Sequence, residues 1–417
     1  MKIAVIGAGI IGVTTAYELA RDGHDVTVLE RRTAVAEESS FANAGIVAPA
    51  YITSWTEPGL PSQVIQHLFR RHAPLTLSLP LSGRELAWLW KWSRACKLET
   101  FLSNRAHLQR MAFYSRERLQ HITAELKLEF ERSEGYMVLL RTEHDSQQIQ
   151  PSLQAMRDAG ANVKELGETE ARKIEAALNP DTALFGALHL PDDEVGNCRQ
   201  FAHLLKNEAQ RMGVKFLFNA TVTQISTNSG VAVRLSGEDN ARQFNAAVLC
   251  AGPDSGQLLT PLGLKIPLAP VYGYSVTATI REPLNGPRSA VMDAHYKVDI
   301  VRLGNRVRVA GCAEFGGPSD KKNAKILQTL YKVLHTWFPG AANLSSGVQE
   351  WKGARPMLPD GLPILGASGI AGLWLNLGHG ASGWALSCGS ARALADQIAG
   401  RSLELDTQGF SVNRLRH

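Results

Sequence analysis

Three glycines near the start of the chain have the spacing of a phosphate-binding loop. Residues 3–6 form an apolar run typical of a buried parallel strand, and Gly7, Gly9 and Gly12 follow it directly. Gly7 allows a tight turn, Gly9 lets the backbone approach a pyrophosphate, and Gly12 permits close packing of the next helix on the strand. The N-terminus of that helix faces the phosphate charge. The pattern therefore predicts a dinucleotide-binding site.

An acidic residue completes this motif. Gly23 ends the predicted helix, and a second apolar strand over residues 26–29 leads into Glu30. A carboxylate at this position accepts hydrogen bonds from the hydroxyls of an adenosine ribose. Its charge would repel the 2′-phosphate of NADP, but the motif alone leaves open which other dinucleotide binds.

Two later segments favour a flavin dinucleotide. Residues 248–252 form an apolar strand ending in the small pair Ala251 and Gly252, which lets the chain pass close to a cofactor. Residues 373–377 predict another strand, followed by a glycine-rich loop over 378–383 and a helix from Trp384. The N-terminus of that helix is suited to stabilise negative charge on a reduced isoalloxazine ring. The alternative is that this loop serves only packing.

Further patterns predict the elements around these loops. Residues 296–301 and 306–310 alternate about a Gly-Asn turn, as the strands of a hairpin do. Residues 215–225 predict one strand, and residues 101–128 predict a long charged helix. The expected fold is α/β, with a Rossmann-type domain and an inserted α+β domain that contains an antiparallel sheet.

Composition limits the classes of function. The chain has 417 residues, 44% hydrophobic and 20% charged, with a formal net charge of +5. This length exceeds that of one compact core and predicts two joined domains. Because the basic residues are scattered, the charge argues against nucleic acid and suits an anionic substrate or a membrane surface.

The cysteines and the apolar runs indicate a compartment. The five cysteines are widely separated and never in C-x-x-C spacing, which argues against disulfides, a zinc site or an iron–sulfur cluster. The chain begins directly with a strand, and no apolar run has the length of a membrane span. We expect a cytoplasmic protein, or one bound peripherally to the cytoplasmic face of the inner membrane, with no metal site.

With these residues placed, the chain resembles the D-amino-acid dehydrogenase small-subunit family. This family is grouped with D-amino-acid oxidase, glycine oxidase and sarcosine oxidase. The resemblance covers nearly the whole chain. Its specific segments are Ser39-Ser40-Phe41-Ala42-Asn43-Ala44-Gly45, Arg71-His72-Ala73-Pro74-Leu75, Leu190-Pro191-Asp192-Asp193-Glu194, Gly273-Tyr274-Ser275, Gly353-Ala354-Arg355-Pro356-Met357, Pro359-Asp360-Gly361 and Leu375-Asn376-Leu377-Gly378-His379-Gly380.

The resemblance implies a domain plan and a cofactor site. An FAD-binding domain would comprise residues 1–50, 195–260 and 345–417, and a substrate-binding domain would comprise 51–194 and 261–344. We expect the FAD to be held non-covalently. The candidate FAD-binding residues are Gly7, Gly9, Gly12, Glu30, Arg31, Ser40, Asn43, Ala44, Gly45, Val222, Ala251, Gly252, Gly378, His379, Gly380, Gly383 and Trp384.

The resemblance also implies the catalytic residues. Arg355 would bind the substrate carboxylate, and Tyr274 would lend a hydroxyl to the same carboxylate. His379 is expected to orient the flavin, with a general-base role as the alternative. Tyr272 stands where the closest relatives carry lysine, and Ile46 where many carry glutamine, so both bear on substrate choice. Weaker candidates for the pocket wall are Tyr51 and Tyr296.

The implied reaction is oxidation of a D-amino acid, with D-alanine as the usual substrate. Hydride transfer from Cα to the flavin gives an imino acid, which water hydrolyses to a 2-oxo acid and ammonia. Alternatives are a dehydrogenase for D-proline or cis-4-hydroxy-D-proline, an oxidase of glycine or sarcosine, and a flavin electron-transfer subunit without turnover.

The electrons need an acceptor. Apart from the loops at 7–12 and 378–383, both assigned to the flavin, no G-x-G-x-x-G lies within a strand–helix unit, so the sequence offers no site for NAD(P) as acceptor. The resemblance favours a quinone or another respiratory carrier. One stretch interleaves basic and apolar residues as a lipid-contacting segment does, although two of its tryptophans share a helical face that suits a core. Its residues are Arg70, Arg71, His72, Arg84, Lys91, Arg94 and Lys97, with Leu86, Trp88, Leu89, Trp90 and Trp92.

Overall fold

A computed structural model describes residues 1–67, 73–228 and 230–415 of the chain. The strands are β1 Lys2–Ile6, β2 Asp25–Leu29, β3 Ile46–Val47, β4 Leu75–Ser78, β5 Arg132–Leu140, β6 Lys164–Gly167, β7 Gly186–Gly196, β8 Lys215–Leu217, β9 Val222–Ser226, β10 Val231–Leu235, β11 Arg242–Phe244, β12 Ala246–Leu249, β13 Ala269–Thr279, β14 Ala290–Asp293, β15 Val298–Leu303, β16 Arg306–Gly316, β17 Gln349–Met357, β18 Ile364–Ala367 and β19 Leu373–Leu377. The helices are α1 Ile10–Arg21, α2 Leu60–His67, α3 Gly83–Ala95, α4 Leu98–Leu126, α5 Glu143–Asp158, α6 Glu168–Ile174, α7 Cys198–Arg211, α8 Ser255–Leu259, α9 Ala324–Trp337 and α10 Gly383–Ala399.

A six-stranded sheet carries the predicted dinucleotide motif. Its order is β18-β19-β12-β1-β2-β8, and all neighbours are parallel except the β18–β19 pair. The inner strands are buried along nearly their whole length, as their unbroken apolar runs predict. One core cluster joins this sheet to α1, α4, α7 and α10, and another joins it to the three-stranded sheet β11-β10-β9.

A second, larger sheet is mainly antiparallel and, within the described residues, has ten strands. Its order is β17-β13-β16-β15-β14-β5-β7-β3, with β4 added to β16 and β6 added to β7. Most neighbours are antiparallel; β14–β5 and β16–β4 are parallel. Helix α9 packs on one face through a continuous apolar cluster. We call this face the α9 face. The opposite face contacts the loop over residues 40–45 and is called the cofactor face.

The structure tests several of the predicted elements. The hairpin is confirmed as β15 and β16, and the long charged helix is confirmed as α4. The single strand predicted over 215–225 is wrong, because β8 ends at Leu217 and β9 belongs to a different sheet. Asn219 lies between them in the left-handed region at φ 55°, which breaks an extended strand.

The domain division remains a prediction. Within the segment 345–417 that was expected to bind FAD, β17 lies in the large antiparallel sheet. Likewise β3, inside the segment 1–50, pairs with β7 of that sheet. The chain therefore crosses between the two sheets close to these predicted boundaries.

Several properties bear on partners and compartment. In the part of the chain that the structure describes, no helix is long and apolar enough to cross a membrane, and no group of His, Cys, Asp and Glu is arranged to hold a metal ion. All five cysteines are free. Trp88 and Trp92 are buried and stacked in a core cluster, while Trp90 on the same helix is 58% exposed. Arg70, Arg71 and His72 lie outside the described residues.

Candidate functional site

The first glycine loop has the backbone geometry that a pyrophosphate requires. Gly7 has φ +101°, and a Cβ there would lie 2.6 Å from the carbonyl oxygen of Cys250. A Cβ on Gly12 would lie 1.9 Å from the carbonyl oxygen of Gly7, so close packing excludes side chains at both positions. At Gly9 the nearest atom to such a Cβ is the Ser40 hydroxyl oxygen at 3.6 Å. The N-cap residue of α1 is Gly9, which has no side chain to cover the helix end, so this N-terminus is suited to an anion.

Glu30 is buried at the end of β2 beside this loop. Its carboxylate accepts hydrogen bonds from the backbone N–H groups of Ala8 at 2.6 Å and Arg32 at 2.8 Å. This orients the carboxylate next to the α1 N-terminus, as ribose binding requires. Arg31 turns outward and forms an ion pair with Asp254 at 2.9 Å.

The chain passes this site twice more. The backbone N–H of Ala220 donates to the Glu30 carbonyl oxygen at 2.8 Å, which brings the start of β9 at Val222 close to it. Ala251 and Gly252 follow β12, the neighbour of β1. Gly252 has φ +55°, and no other atom lies within 4 Å of a Cβ built there.

The loop over 40–45 connects the two sheets. The Ser40 hydroxyl oxygen accepts a hydrogen bond from the Ile10 N–H at 3.1 Å, inside the first turn of α1. The Gly45 carbonyl oxygen accepts one from the Trp384 indole N–H at 3.1 Å. Between them, the Asn43 side-chain oxygen is buried and has no hydrogen-bond partner among the described residues. A buried acceptor in this state is suited to a donor from a ligand.

The C-terminal loop faces the same region. Gly378 and Gly380 have φ +78° and +56°, so both turns favour glycine, and Gly383 begins α10. His379 is buried, with its Nε2 atom 3.3 Å from the Ser390 hydroxyl oxygen. Burial lowers the pKa of His379 to about 3, so the ring is neutral near pH 7. This geometry favours the orienting role over general-base catalysis.

These loops fit a flavin dinucleotide. The α1 N-terminus, the open position at Gly9 and the buried Glu30 carboxylate suit pyrophosphate and ribose. The unpartnered Asn43 acceptor and the α10 N-terminus extend the site toward the large sheet. The loop over 40–45 links these features, because it bonds to the first turn of α1 through Ser40 and to Trp384 of α10 through Gly45.

The cofactor face of the large sheet adjoins the 40–45 loop. The Ser275 hydroxyl donates to the Ala42 carbonyl oxygen at 2.7 Å, and Arg308 donates to the Asn43 carbonyl oxygen at 2.8 Å. Arg308 also donates to the Thr277 hydroxyl oxygen at 2.9 Å, and burial lowers its pKa to about 10. A buried guanidinium is thus held against the backbone of this loop.

Arg355 lies on the same face, near the end of β17. Its guanidinium covers Gly273, where a Cβ would approach to within 2.4 Å, so only glycine fits beneath it. One nitrogen donates to the Cys312 carbonyl oxygen at 3.0 Å, and the Trp55 ring lies 5.8 Å from the guanidinium carbon. Burial lowers the pKa of Arg355, while Cys312 and Asp299 raise it. No acidic side chain of residues 1–67, 73–228 or 230–415 forms an ion pair with it.

Tyr274 and Tyr272 lie on the opposite, α9 face. Tyr274 alternates with Gly273 along β13, and it contributes to the apolar cluster that contains α9. Its hydroxyl donates to Glu314, whose carboxylate forms an ion pair with Lys352 at 2.8 Å. The expectation that Tyr274 and Arg355 hold one carboxylate is therefore corrected, because the sheet separates their side chains.

Tyr272 stands where a lysine was expected, and the structure places Lys352 beside it. The Lys352 ammonium lies 4.2 Å from the Tyr272 ring centroid and donates to two backbone carbonyls. A lysine is therefore present beside Tyr272, but on the neighbouring strand and bound within the protein.

The weaker candidates divide between the two faces. Tyr51 packs edge-on against Tyr136 with ring centroids 5.8 Å apart, on the cofactor face. Ile46 packs at the edge of the same cluster. Tyr296 belongs to the α9-face cluster, where its hydroxyl accepts a hydrogen bond from Lys332 at 3.0 Å, so its assignment to the pocket wall is corrected.

Asp299 is the residue of this region that sequence reasoning missed. It accepts a hydrogen bond from the Tyr136 hydroxyl at 2.8 Å on the cofactor face. The signal was present, because Asp299 is the one charged residue in the run Val298-Asp299-Ile300-Val301 of a predicted strand. A carboxylate at an inward position of such a strand indicates a specific role.

Comparison with known proteins gives consistent results. The family model described as FAD dependent oxidoreductase matches residues 2–397. The chain is 39% identical to a D-amino acid dehydrogenase of Bradyrhizobium diazoefficiens, over 100% of this chain and 99% of the relative. It is 38% identical to a D-amino acid dehydrogenase of Rhizobium rhizogenes, over 99% and 100%. The crystal structure of glycine oxidase from Geobacillus kaustophilus matches with a TM-score of 0.75 at 24% identity, covering 99% of this chain and 98% of that one.

Proposed function

The chain belongs to the family of FAD dependent oxidoreductases, and from that premise we propose that it is a dehydrogenase of D-amino acids. The observation that carries the proposal is the Arg355 guanidinium on the cofactor face, which has no ion-pair partner in the described chain. Two relatives that align over the full length are D-amino acid dehydrogenases, which supports the same substrate class.

Arg355 binds the substrate carboxylate in this proposal. A planar guanidinium binds a carboxylate through two parallel hydrogen bonds, and a partly desolvated site strengthens them. Gly273 keeps the guanidinium flat against β13, and the Cys312 carbonyl fixes one of its nitrogens. The carboxylate is thus held in one orientation, which sets the position of Cα.

The other groups hold the cofactor and exclude water. The chemistry that FAD supplies when bound is acceptance of a hydride from Cα. The α1 N-terminus, Glu30 and Asn43 would hold the dinucleotide, and His379 with the α10 N-terminus would lie against its ring. Because His379 is neutral and buried, it orients the site without gaining charge near pH 7. The product is an imino acid, which hydrolyses to a 2-oxo acid and ammonia.

We further propose a small neutral substrate such as D-alanine, with D-proline or cis-4-hydroxy-D-proline as the alternative. Trp55 lies near the Arg355 guanidinium, and Tyr51 and Tyr136 pack together on the same face of the sheet, where they present flat, largely apolar surfaces. Such surfaces suit both a methyl group and a five-membered ring.

A quinone or another respiratory carrier is the proposed electron acceptor, met at a membrane surface. Leu86 and Trp90 are exposed one turn apart on α3, and Arg94 lies over the Trp90 ring at 4.9 Å. An exposed apolar pair with adjacent arginine suits a lipid interface. Co-sedimentation with anionic vesicles tests this contact, and Trp90→Ala should weaken it.

Anaerobic reduction of the flavin tests the reaction. Purified holoenzyme is mixed with D- and L-alanine, D-proline, cis-4-hydroxy-D-proline, glycine and sarcosine in turn, and the visible flavin absorbance is followed. Bleaching by D-enantiomers alone supports the proposal, and the fastest substrate chooses between primary and cyclic amines. If the protein is yellow but no amine bleaches it, the proposed function is wrong and the alternative of a flavin electron-transfer subunit takes its place.

A further inference from the structure

We propose that Asp299 binds the ammonium group of the amino acid substrate and takes up its proton, while Arg355 binds the substrate carboxylate. The inference rests on the proposed function and deepens it, because it names the residue that receives the second charge of a zwitterionic substrate.

Asp299 and Arg355 share the cofactor face. Asp299 on β15 pairs with Ala310 on β16, and Ala310 pairs with Ser275 on β13. Paired residues point to the same side of a sheet, and β13 and β17 pair in unbroken register. Ser275 and Arg355 are therefore on one side, and Asp299 is on that side with them.

Both charges lack an ion-pair partner in the part of the chain that is described. Asp299 accepts one hydrogen bond, from the Tyr136 hydroxyl to Oδ1, which leaves Oδ2 for another donor. Arg355 donates one hydrogen bond, to the Cys312 carbonyl oxygen. Charges removed from water are costly unless they are paired. Two opposite charges kept apart in this way suit a ligand that carries both.

The separation of the charges suits a small α-amino acid. Cys312, whose carbonyl holds the guanidinium, lies two residues beyond Ala310, the cross-strand neighbour of Asp299. The strand is irregular at Cys312, where φ is +53°, but each of the two charges shifts the pKa of the other, so they lie within electrostatic range without forming an ion pair. Hydrogen bonds to both ends of a zwitterion span such a gap.

The surroundings of Asp299 raise the proton affinity of its carboxylate. Burial raises the pKa of the Asp299 carboxyl to about 6, against the lowering effects of Tyr136, Arg355 and Lys297. Tyr51 is a further titratable group that faces it. An acceptor that titrates near neutral pH is suited to general-base catalysis.

The step balances with groups already named. One N–H bond of the ammonium breaks, and its proton passes to Oδ2 of Asp299. The freed lone pair then forms the C=N bond as the Cα hydrogen leaves with its electron pair to FAD. The result is a protonated Asp299, an iminium product and a cofactor reduced by two electrons.

The variant Asp299→Asn should distinguish recognition of the substrate ammonium group from recognition of its carboxylate. Stopped-flow anaerobic reduction gives the limiting rate and the apparent Kd for D-alanine, and the flavin spectral shift gives the Kd for propionate, which has the carboxylate but no amine. We expect the ratio of rate to Kd for D-alanine to fall about a hundredfold, while the Kd for propionate changes by less than about twofold. Arg355→Met should weaken both ligands.

Glu314→Gln is the matched control, since it changes a buried carboxylate of the same sheet on the α9 face. It should keep both values within about twofold of wild type. Unchanged reduction of Asp299→Asn by D-alanine overturns the inference, and so does an equal loss of propionate binding.

Failure of the proposed function has a different signature. If wild type is reduced by no amine, spectral titration with alanine of either hand still tests Asp299. Tighter binding of alanine than of propionate by wild type, lost in Asp299→Asn, retains the ammonium site. Equal binding of the two ligands by wild type overturns it.

Discussion

The two faces of the large antiparallel sheet treat their buried charges in opposite ways. On the α9 face, the Glu314 carboxylate receives hydrogen bonds from Tyr274, Lys352, Ser78 and Asn323. The Lys352 side chain is only 4% exposed and is also fully bonded within the protein. This group of side chains is complete without a ligand.

On the cofactor face, the buried and half-buried charged side chains have fewer partners. Arg355 and Asp299 each have one hydrogen bond and no ion-pair partner within the described ranges. Arg308 donates to the Thr277 hydroxyl and to the Asn43 carbonyl, and it forms no ion pair with a described residue. Charge that is removed from water without a partner lowers stability, and this asymmetry supports the proposal that the cofactor face binds a charged ligand.

The pKa values of the two carboxylates reflect this difference. For Glu314, burial would raise the pKa, but hydrogen bonds led by Lys352 lower it below its ordinary value. For Asp299, burial prevails and the pKa is raised. The desolvation cost of a carboxylate is offset by protein groups on the α9 face, and in our proposal it is offset by the substrate on the cofactor face.

The largest expected effect is on the α9 face. Lys352→Met leaves the Glu314 carboxylate buried without its cation, and we expect the free energy of unfolding to fall by about 3–5 kcal/mol. Chemical denaturation measures this change. The double variant Lys352→Met/Glu314→Gln should recover part of it. A loss below about 1 kcal/mol in the single variant would contradict the view that this ion pair is structural.

Arg355→Met tests the cofactor face. The rate of flavin reduction at low D-amino acid concentration should fall about a hundredfold or more, since a charged hydrogen-bonded pair with substrate is lost. The free energy of unfolding should change little, because the half-buried guanidinium has no ion pair with a described residue to lose and Met has a similar length. The comparison between faces fails if this variant loses stability as Lys352→Met does.

The pH dependence of stability should have opposite signs on the two faces. A raised pKa stabilises the protonated folded state, so the contribution of Asp299 is present below about pH 4 and is lost as the pH rises through about 6. The free energy of unfolding of wild type minus that of Asp299→Asn should therefore increase by on the order of 2 kcal/mol from pH 7 to pH 4. Denaturant titrations of both proteins across this range measure it.

For Glu314 the pKa is lowered, and the sign reverses. Its contribution is present above the unfolded value and is lost as the pH falls through the folded one. The free energy of unfolding of wild type minus that of Glu314→Gln should therefore decrease as the pH is lowered. If the two stability differences changed with pH in the same direction, the two carboxylates would not differ as we propose.

The smallest effect is expected for Tyr274→Phe. It removes one hydrogen bond to Glu314, which should cost about 1–2 kcal/mol of stability. The apparent affinity for D-amino acid should change by less than about twofold, because the hydroxyl is on the α9 face. Tyr136→Phe, which removes the bond to Asp299, is the matched change on the cofactor face. A tenfold loss of affinity in Tyr274→Phe would restore the role that resemblance assigned to it.

The sequence by itself determined the dinucleotide site. The G-x-G-x-x-G pattern, Glu30 and the later glycine loops are local features, since each depends on backbone conformation or on a helix that begins within a few residues. The same holds for the hairpin β15–β16 and the helix α4, whose periodicities are readable along the chain.

Only the tertiary structure decided which side chains share the proposed substrate site. Alternation along β13 puts Tyr272 and Tyr274 on one face and Gly273 on the other, but it cannot say which face packs against α9 and which meets the 40–45 loop. Asp299, Tyr136 and Arg355 come from three strands that are far apart in sequence and were joined only by the register of the sheet. Register and sidedness depend on long-range pairing and core packing, so they cannot be derived from any one segment.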